Sequence, residues 1–153
     1  MNGAHVHLVL THFPIGGIVL VTALALLAAL QRRDALMRIA FSGFVVVALS
    51  AVPLYLSGEE AEEQIESLSG VNEASIEAHE EAALPAFVGI EIVGVLALFA
   101  LFLYRKSEIA RTPLSQLILL LAIVACVLVG RSANLGGQIR HPEINDAARG
   151  EDS

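Results

Sequence analysis

Four stretches of this chain exclude charge. Phe13–Leu30 runs 18 positions without a charged residue, Ile39–Leu56 matches it, and Leu114–Gly130 gives 17. Ala82–Tyr104 runs 23 positions with one charge, Glu91. A helix that crosses the hydrocarbon core of a bilayer needs roughly 20 predominantly apolar residues. In lipid every backbone N–H and C=O must be paired within its own segment, so these stretches are expected to be helices. The pattern predicts an all-α, integral membrane four-helix bundle in one domain over residues 1–153, with spans at about 8–30, 39–56, 82–104 and 114–131.

The first stretch differs from a cleaved signal peptide. No Lys or Arg precedes it, whereas Arg32 and Arg33 follow it, the reverse of a signal's charge order. Basic residues in short loops set orientation. Arg32, Arg33 and Arg38 lie in the first connection, and Arg105, Lys106 and Arg111 in the third. The connection between them, Ser57–Glu81, has nine Glu and no basic residue. The two basic loops are therefore expected in the cytoplasm, and both termini and the acidic loop on the outer side of the membrane.

The acidic loop has structure signals of its own. Ser57-Gly58-Glu59-Glu60 reads as an N-cap with its capping-box partner, opening a short amphipathic helix with Ala61, Ile65 and Leu68 on one face. Asn72 is placed to cap the next helix, which is expected to run through His79 into the third span and to bend at Pro85.

Composition changes the picture in two ways. The chain is 56% apolar, above the 45–50% usual for soluble domains. Its net charge is −7 and its largest loop is acidic, which excludes a nucleic-acid surface. The single cysteine, Cys126, falls within the fourth span, where it reads as a small buried residue; no Cys-x-x-Cys-His haem attachment motif is present.

All five histidines, His5, His7, His12, His79 and His141, map to the expected outer end, and they come from three different spans. Sites in bundle cores are built from side chains on facing helices. Gly16 lies one turn along from His12, leaving bare backbone beside it, and Ala82, Ala83 and Ala86 follow His79. Leu135-Gly136-Gly137 reads as a flexible turn that can fold His141 back over the outer surface. Haem b between two neutral imidazoles uses such parts. On this reading His12, His79, His141, His7, Gly16 and Glu91 form the cofactor site, with His12 paired to His79 or His141. A bare transition metal ion held by His5, His12, His79, Glu59 and Glu80 is the alternative. Each histidine taken alone also suits a bilayer interface, where its ring is apolar and its nitrogens reach water.

Glu91 is a separate signal. A charged carboxylate at the bilayer centre costs about 2.5–3.5 kcal/mol on insertion scales. It shares a face with Glu80 and Phe87 and is expected to point into the bundle, either as a proton-relay group or bonded to a backbone carbonyl, Ser42 or Ser50.

His7-x4-His12-Phe13-Pro14-Ile15 resembles the opening signature of a bacterial four-helix membrane family catalogued as domain of unknown function 2231. Ser57-Gly58-Glu59-Glu60-Ala61, His79-Glu80 and Leu135-Gly136-Gly137-x3-His141 are similar to its later motifs, and the resemblance covers nearly the whole chain. Leu8 stands where the family usually has Pro, and Pro142 where it has Gly. The resemblance implies a membrane protein with a polar cluster at one end and no assigned reaction.

Three functions remain in view. One is a haem b redox module passing electrons between a periplasmic donor and a membrane partner. Another is a non-haem site for copper, zinc or iron. The third is a cofactor-free accessory subunit of a larger complex. No nucleophile motif stands beside the histidines, so an electron-transfer or binding module is expected rather than a stand-alone enzyme. The lipid bilayer is the one certain partner, and association with a second copy is open.

Overall fold

A computed structural model describes residues 3–58 and 73–140, and the side chains of 11–58 and 74–138. It contains four helices: α1 (Gly3–Gln31), α2 (Asp34–Leu56), α3 (Glu73–Leu103) and α4 (Pro113–Arg140). No strand occurs among the described residues. All four helices are long and apolar enough to cross a membrane. They pack in sequential order around a ring, α1 on α2, α2 on α3, α3 on α4, with a lighter α1–α4 contact closing it. Thus α1 and α3 stand diagonally across the bundle. The short helix expected after Ser57 falls on 59–72, outside the described residues.

The interior is built from small residues and a few large ones. Ala25 and Ala28 of α1, Phe41 and Phe44 of α2, Val93 and Ala97 of α3, and Ile118 and Ala122 of α4 are all buried. The large side chains turned outward, such as Leu20, Val95 and Val127, are exposed on the lipid side. Between membrane helices the driving force is close van der Waals contact, which small residues permit. Gly17 and Gly43 show this at the α1–α2 seam. A Cβ at Gly17 would sit 2.8 Å from Val47 Cγ2, and one at Gly43 2.9 Å from Val21 Cγ2.

The helices run beyond the charge-free stretches. α1 and α2 pass through Pro14 and Pro53, and α3 continues unbroken through Pro85. The turn between α1 and α2 is two residues long. Arg33 N–H donates to Ala28 O at 3.0 Å and Arg32 N–H to Ala29 O at 3.3 Å, with Arg32 at φ 55°. That bonding is a Schellman stop, whose left-handed position is usually glycine.

The connection between α3 and α4, at the same end of the bundle as the α1–α2 turn, is held by α2. Asp34 Oδ1 accepts the backbone N–H groups of Ile109 (2.9 Å) and Ala110 (2.8 Å). One turn on, Arg38 Nη2 donates to the carbonyls of Tyr104 and Ser107, both at 2.7 Å. Ile109 and Ala110 are buried beneath this clasp. α4 then starts with Thr112, whose Oγ1 accepts the Ser115 N–H at 3.1 Å, and Pro113 at its first position.

Candidate functional site

The clearest polar arrangement at the histidine end joins α3 to α4. His79 is half-buried. Its Nδ1 lies 3.0 Å from the carbonyl oxygen of Ser132. A carbonyl can only accept, so Nδ1 carries the proton, and in the neutral ring Nε2 holds the lone pair. The ring lies against the backbone of Gly136, where an added Cβ would be 3.0 Å from His79 Cε1 and 3.2 Å from Nδ1. A ligating imidazole characteristically donates its other N–H to a carboxylate or backbone carbonyl, which fixes tautomer and ring orientation.

This corrects one expectation. Leu135-Gly136-Gly137 is not a turn; α4 runs through it to Arg140. Glycine in a helix interior costs about 1 kcal/mol relative to alanine. At Gly136 that cost has a reason, because a Cβ there would press on the His79 ring at 3.0 Å, closer than ordinary van der Waals contact. Nothing in the structure explains Gly137.

His12 stands at the same end, on the diagonally opposite helix. Cys126 of α4 contacts Ile18 O (3.7 Å) and Thr22 Oγ1 (3.4 Å) of α1, and the antiparallel register from there carries His12 to about the level of Ser132–Gly136. His12 is exposed, however, and lies off the buried stripe of Pro14, Ile18, Thr22 and Ala25. The side chains of His5 and His7 lie outside the described residues, as do Glu59, Glu63 and His141 altogether. Gly16 is exposed with open space around it. Glu80 is exposed. Among the described residues no three His, Cys, Asp or Glu side chains come together as a metal site, so His12, His79 and Glu80 do not form one.

Glu91 is half-buried, with its Oε1 buried, at the edge of the packed face of α3. The buried face of α3 is formed by Ala82, Ala86, Ile90, Val93 and Ala97, and Glu91 lies off it. It is 12 residues from His79, about 18 Å along the helix. The serines considered as its partners are turned back on their own helix: Ser42 Oγ donates to Arg38 O at 2.9 Å and Ser50 Oγ to Val47 O at 2.7 Å. Phe87, one turn before it on the same face, stacks on Tyr55 of α2 with ring centroids 4.4 Å apart.

Sequence reasoning missed Ser132 and the seating role of Gly136. The signal was there as Ser132-x3-Gly136, two small residues one turn apart on α4. Residues 3–141 match the family described as Predicted membrane protein (DUF2231). No curated protein and no solved structure matches the chain.

Proposed function

We propose, for a chain that belongs to the predicted membrane protein family DUF2231, that the histidine end of the bundle binds haem b and that the protein is an electron-transfer module. One observation carries this reading: the His79 Nδ1–Ser132 carbonyl bond, which leaves Nε2 with the lone pair an axial ligand needs. A histidine of α1, diagonally across the bundle, supplies the second nitrogen. The group would supply a reversible one-electron carrier. The chain's own part is to orient two imidazoles, fix the His79 tautomer through Ser132, and keep the volume beside the ring clear with Gly136.

In this reading the histidine end faces the periplasm of the bacterial inner membrane, where a redox partner delivers or removes the electron. The positive residues at the opposite end support that orientation: Arg32, Arg33, Arg38, Arg105, Lys106 and Arg111 all cluster there. Labelling of single cysteines at Asp34 and Glu108 is expected only from the cytoplasm, and at Ser69 and Asn145 only from outside. Labelling of Ser69 from the cytoplasmic side alone would invert the scheme.

The decisive experiment is the reduced-minus-oxidised optical spectrum of the full-length protein purified in detergent. A sharp b-type band is expected and should be lost in His79→Ala; whether His12→Ala or His7→Ala also removes it identifies the ligand from α1. A featureless spectrum with stoichiometric copper, zinc or iron by elemental analysis would replace haem by a bare metal. Absence of both would leave a cofactor-free accessory subunit.

A further inference from the structure

The end of the bundle opposite the histidines carries positive charge that the bonds from α2 leave unused. The α1–α2 turn with the start of α2, and the α3–α4 connection, together hold Arg32, Arg33, Arg38, Arg105, Lys106 and Arg111 against two carboxylates, Asp34 and Glu108. Asp34 accepts the amides of Ile109 and Ala110, and Arg38 donates to two carbonyls. The other basic side chains are all exposed.

The same bonds draw cations from the two connections together. Arg33 adjoins Asp34, and Arg111 adjoins Ala110, whose N–H donates to Asp34 at 2.8 Å. Arg105 follows Tyr104, whose carbonyl accepts from Arg38 at 2.7 Å. Like charges held close repel, so this arrangement favours an anion between them. Depth in the membrane says which anion. The Arg105 guanidinium lies over the Phe102 ring, 5.0 Å from its centroid, a cation–π contact. Phe102 is itself turned outward at 67% exposure, and Leu30, just before the α1–α2 turn, at 73%. The cations therefore stand at the edge of the hydrocarbon. A phospholipid places its phosphate at that level and runs its acyl chains down the apolar side chains below.

We infer that this end of the bundle binds the headgroup of an anionic phospholipid, with Arg33, Arg105 and Arg111 on its phosphate. Guanidinium groups take phosphate through paired N–H donors, and basic pockets between membrane helices hold acidic headgroups in this way. The bonds of Asp34 and Arg38 assemble the site, because they hold its two halves against each other.

The full-length protein, stripped of lipid in neutral detergent, is titrated with cardiolipin. Native mass spectrometry counts the bound lipid while the unfolding midpoint is followed. Saturable binding with a raised midpoint is expected, and neither phosphatidylcholine nor inorganic phosphate should reproduce it. Arg33→Gln and Arg111→Gln should each weaken binding about fivefold, the effect of one basic residue beside an anionic surface. Arg131→Gln, an equally exposed cation at the histidine end, should leave binding unchanged. Asp34→Ala separates an assembled site from a general surplus of charge. It makes this end more positive, yet it should weaken binding by releasing the α3–α4 connection. Asp34→Asn, which keeps the acceptor oxygen, should bind at least as well as the wild type. The inference fails if phosphatidylcholine binds equally, if inorganic phosphate alone raises the midpoint as much, if Arg131→Gln loses as much as Arg33→Gln, or if Asp34→Ala binds more tightly.

Discussion

The imidazole of His79 and the carbonyl of Ser132, 53 residues apart in the chain, meet at 3.0 Å across the α3–α4 seam. Gly136, one turn beyond Ser132, is what lets the ring lie there. Gly136→Ala therefore carries a prediction with a definite sign. An alanine in an unobstructed helix would stabilise the protein by about 1 kcal/mol. Here the Cβ would press on Cε1 and Nδ1 of His79, so a loss of about 1–3 kcal/mol is expected from overpacking. Unfolding in mixed detergent micelles measures it, and a gain in stability would show that the ring does not depend on Gly136.

Asp34 bonds two backbone amides of the α3–α4 connection with one carboxylate oxygen. Asp34→Ala leaves the N–H groups of Ile109 and Ala110 beside buried side chains without their acceptor. The expected loss is about 1–3 kcal/mol. Asp34→Asn keeps an acceptor oxygen at the same position and should recover most of it. Equal losses in both variants would mean that the charge, not the acceptor geometry, holds the connection.

Arg38 reaches two carbonyls from a single guanidinium nitrogen. A lysine ammonium also has several donors on one nitrogen, but its stem is shorter and it is more strongly hydrated. Arg38→Lys is expected to behave like Arg38→Ala, each losing about 1–2 kcal/mol in the same unfolding assay. Full stability in the lysine variant would reduce Arg38 to a general positive charge at the membrane surface.

Arg32 occupies a left-handed backbone position at the end of α1. An L-residue with a side chain pays about 1–2 kcal/mol there, which glycine avoids. Arg32→Gly should raise stability by about 1 kcal/mol while removing one of the charges that set orientation. Measured stability together with cysteine labelling at Glu108 separates the two effects.

Much of the fold was legible in the sequence, for a specific physical reason. A bilayer admits few ways to pair a backbone, so the charge-free stretches at Phe13–Leu30 and Ile39–Leu56 had to be helices. Where the solvent is no longer lipid, the same logic weakens. The sequence marked Gly136-Gly137 as a turn because glycine disfavours helix in isolation, yet at Gly136 the helix persists with the His79 ring lying against its backbone. Glu91 was read as inward-facing because it shares a side of α3 with Phe87. That side is the flank next to α2 and the lipid, and only the packing partners of α3 reveal it. His12 drew attention through its motif, whereas the buried Pro14 and Ile18 show which stripe of α1 faces its neighbours. The clasp by Asp34 and Arg38 was not foreseen, because bonds to residues 104–110 are separated from it by two whole spans.

That clasp has a consequence for biosynthesis. During synthesis α1 and α2 emerge first, joined by a two-residue turn, and reach the membrane while the rest of the chain is still on the ribosome. Asp34 and Arg38 then sit at one membrane surface with their partners not yet made. Only after α3 has crossed and Tyr104–Ala110 returns to the same side can that connection be captured. The first hairpin thus serves as a template that receives the second. Truncations ending before Tyr104 would leave the template open, a form that quality-control proteases on that side of the membrane could tell from the finished bundle.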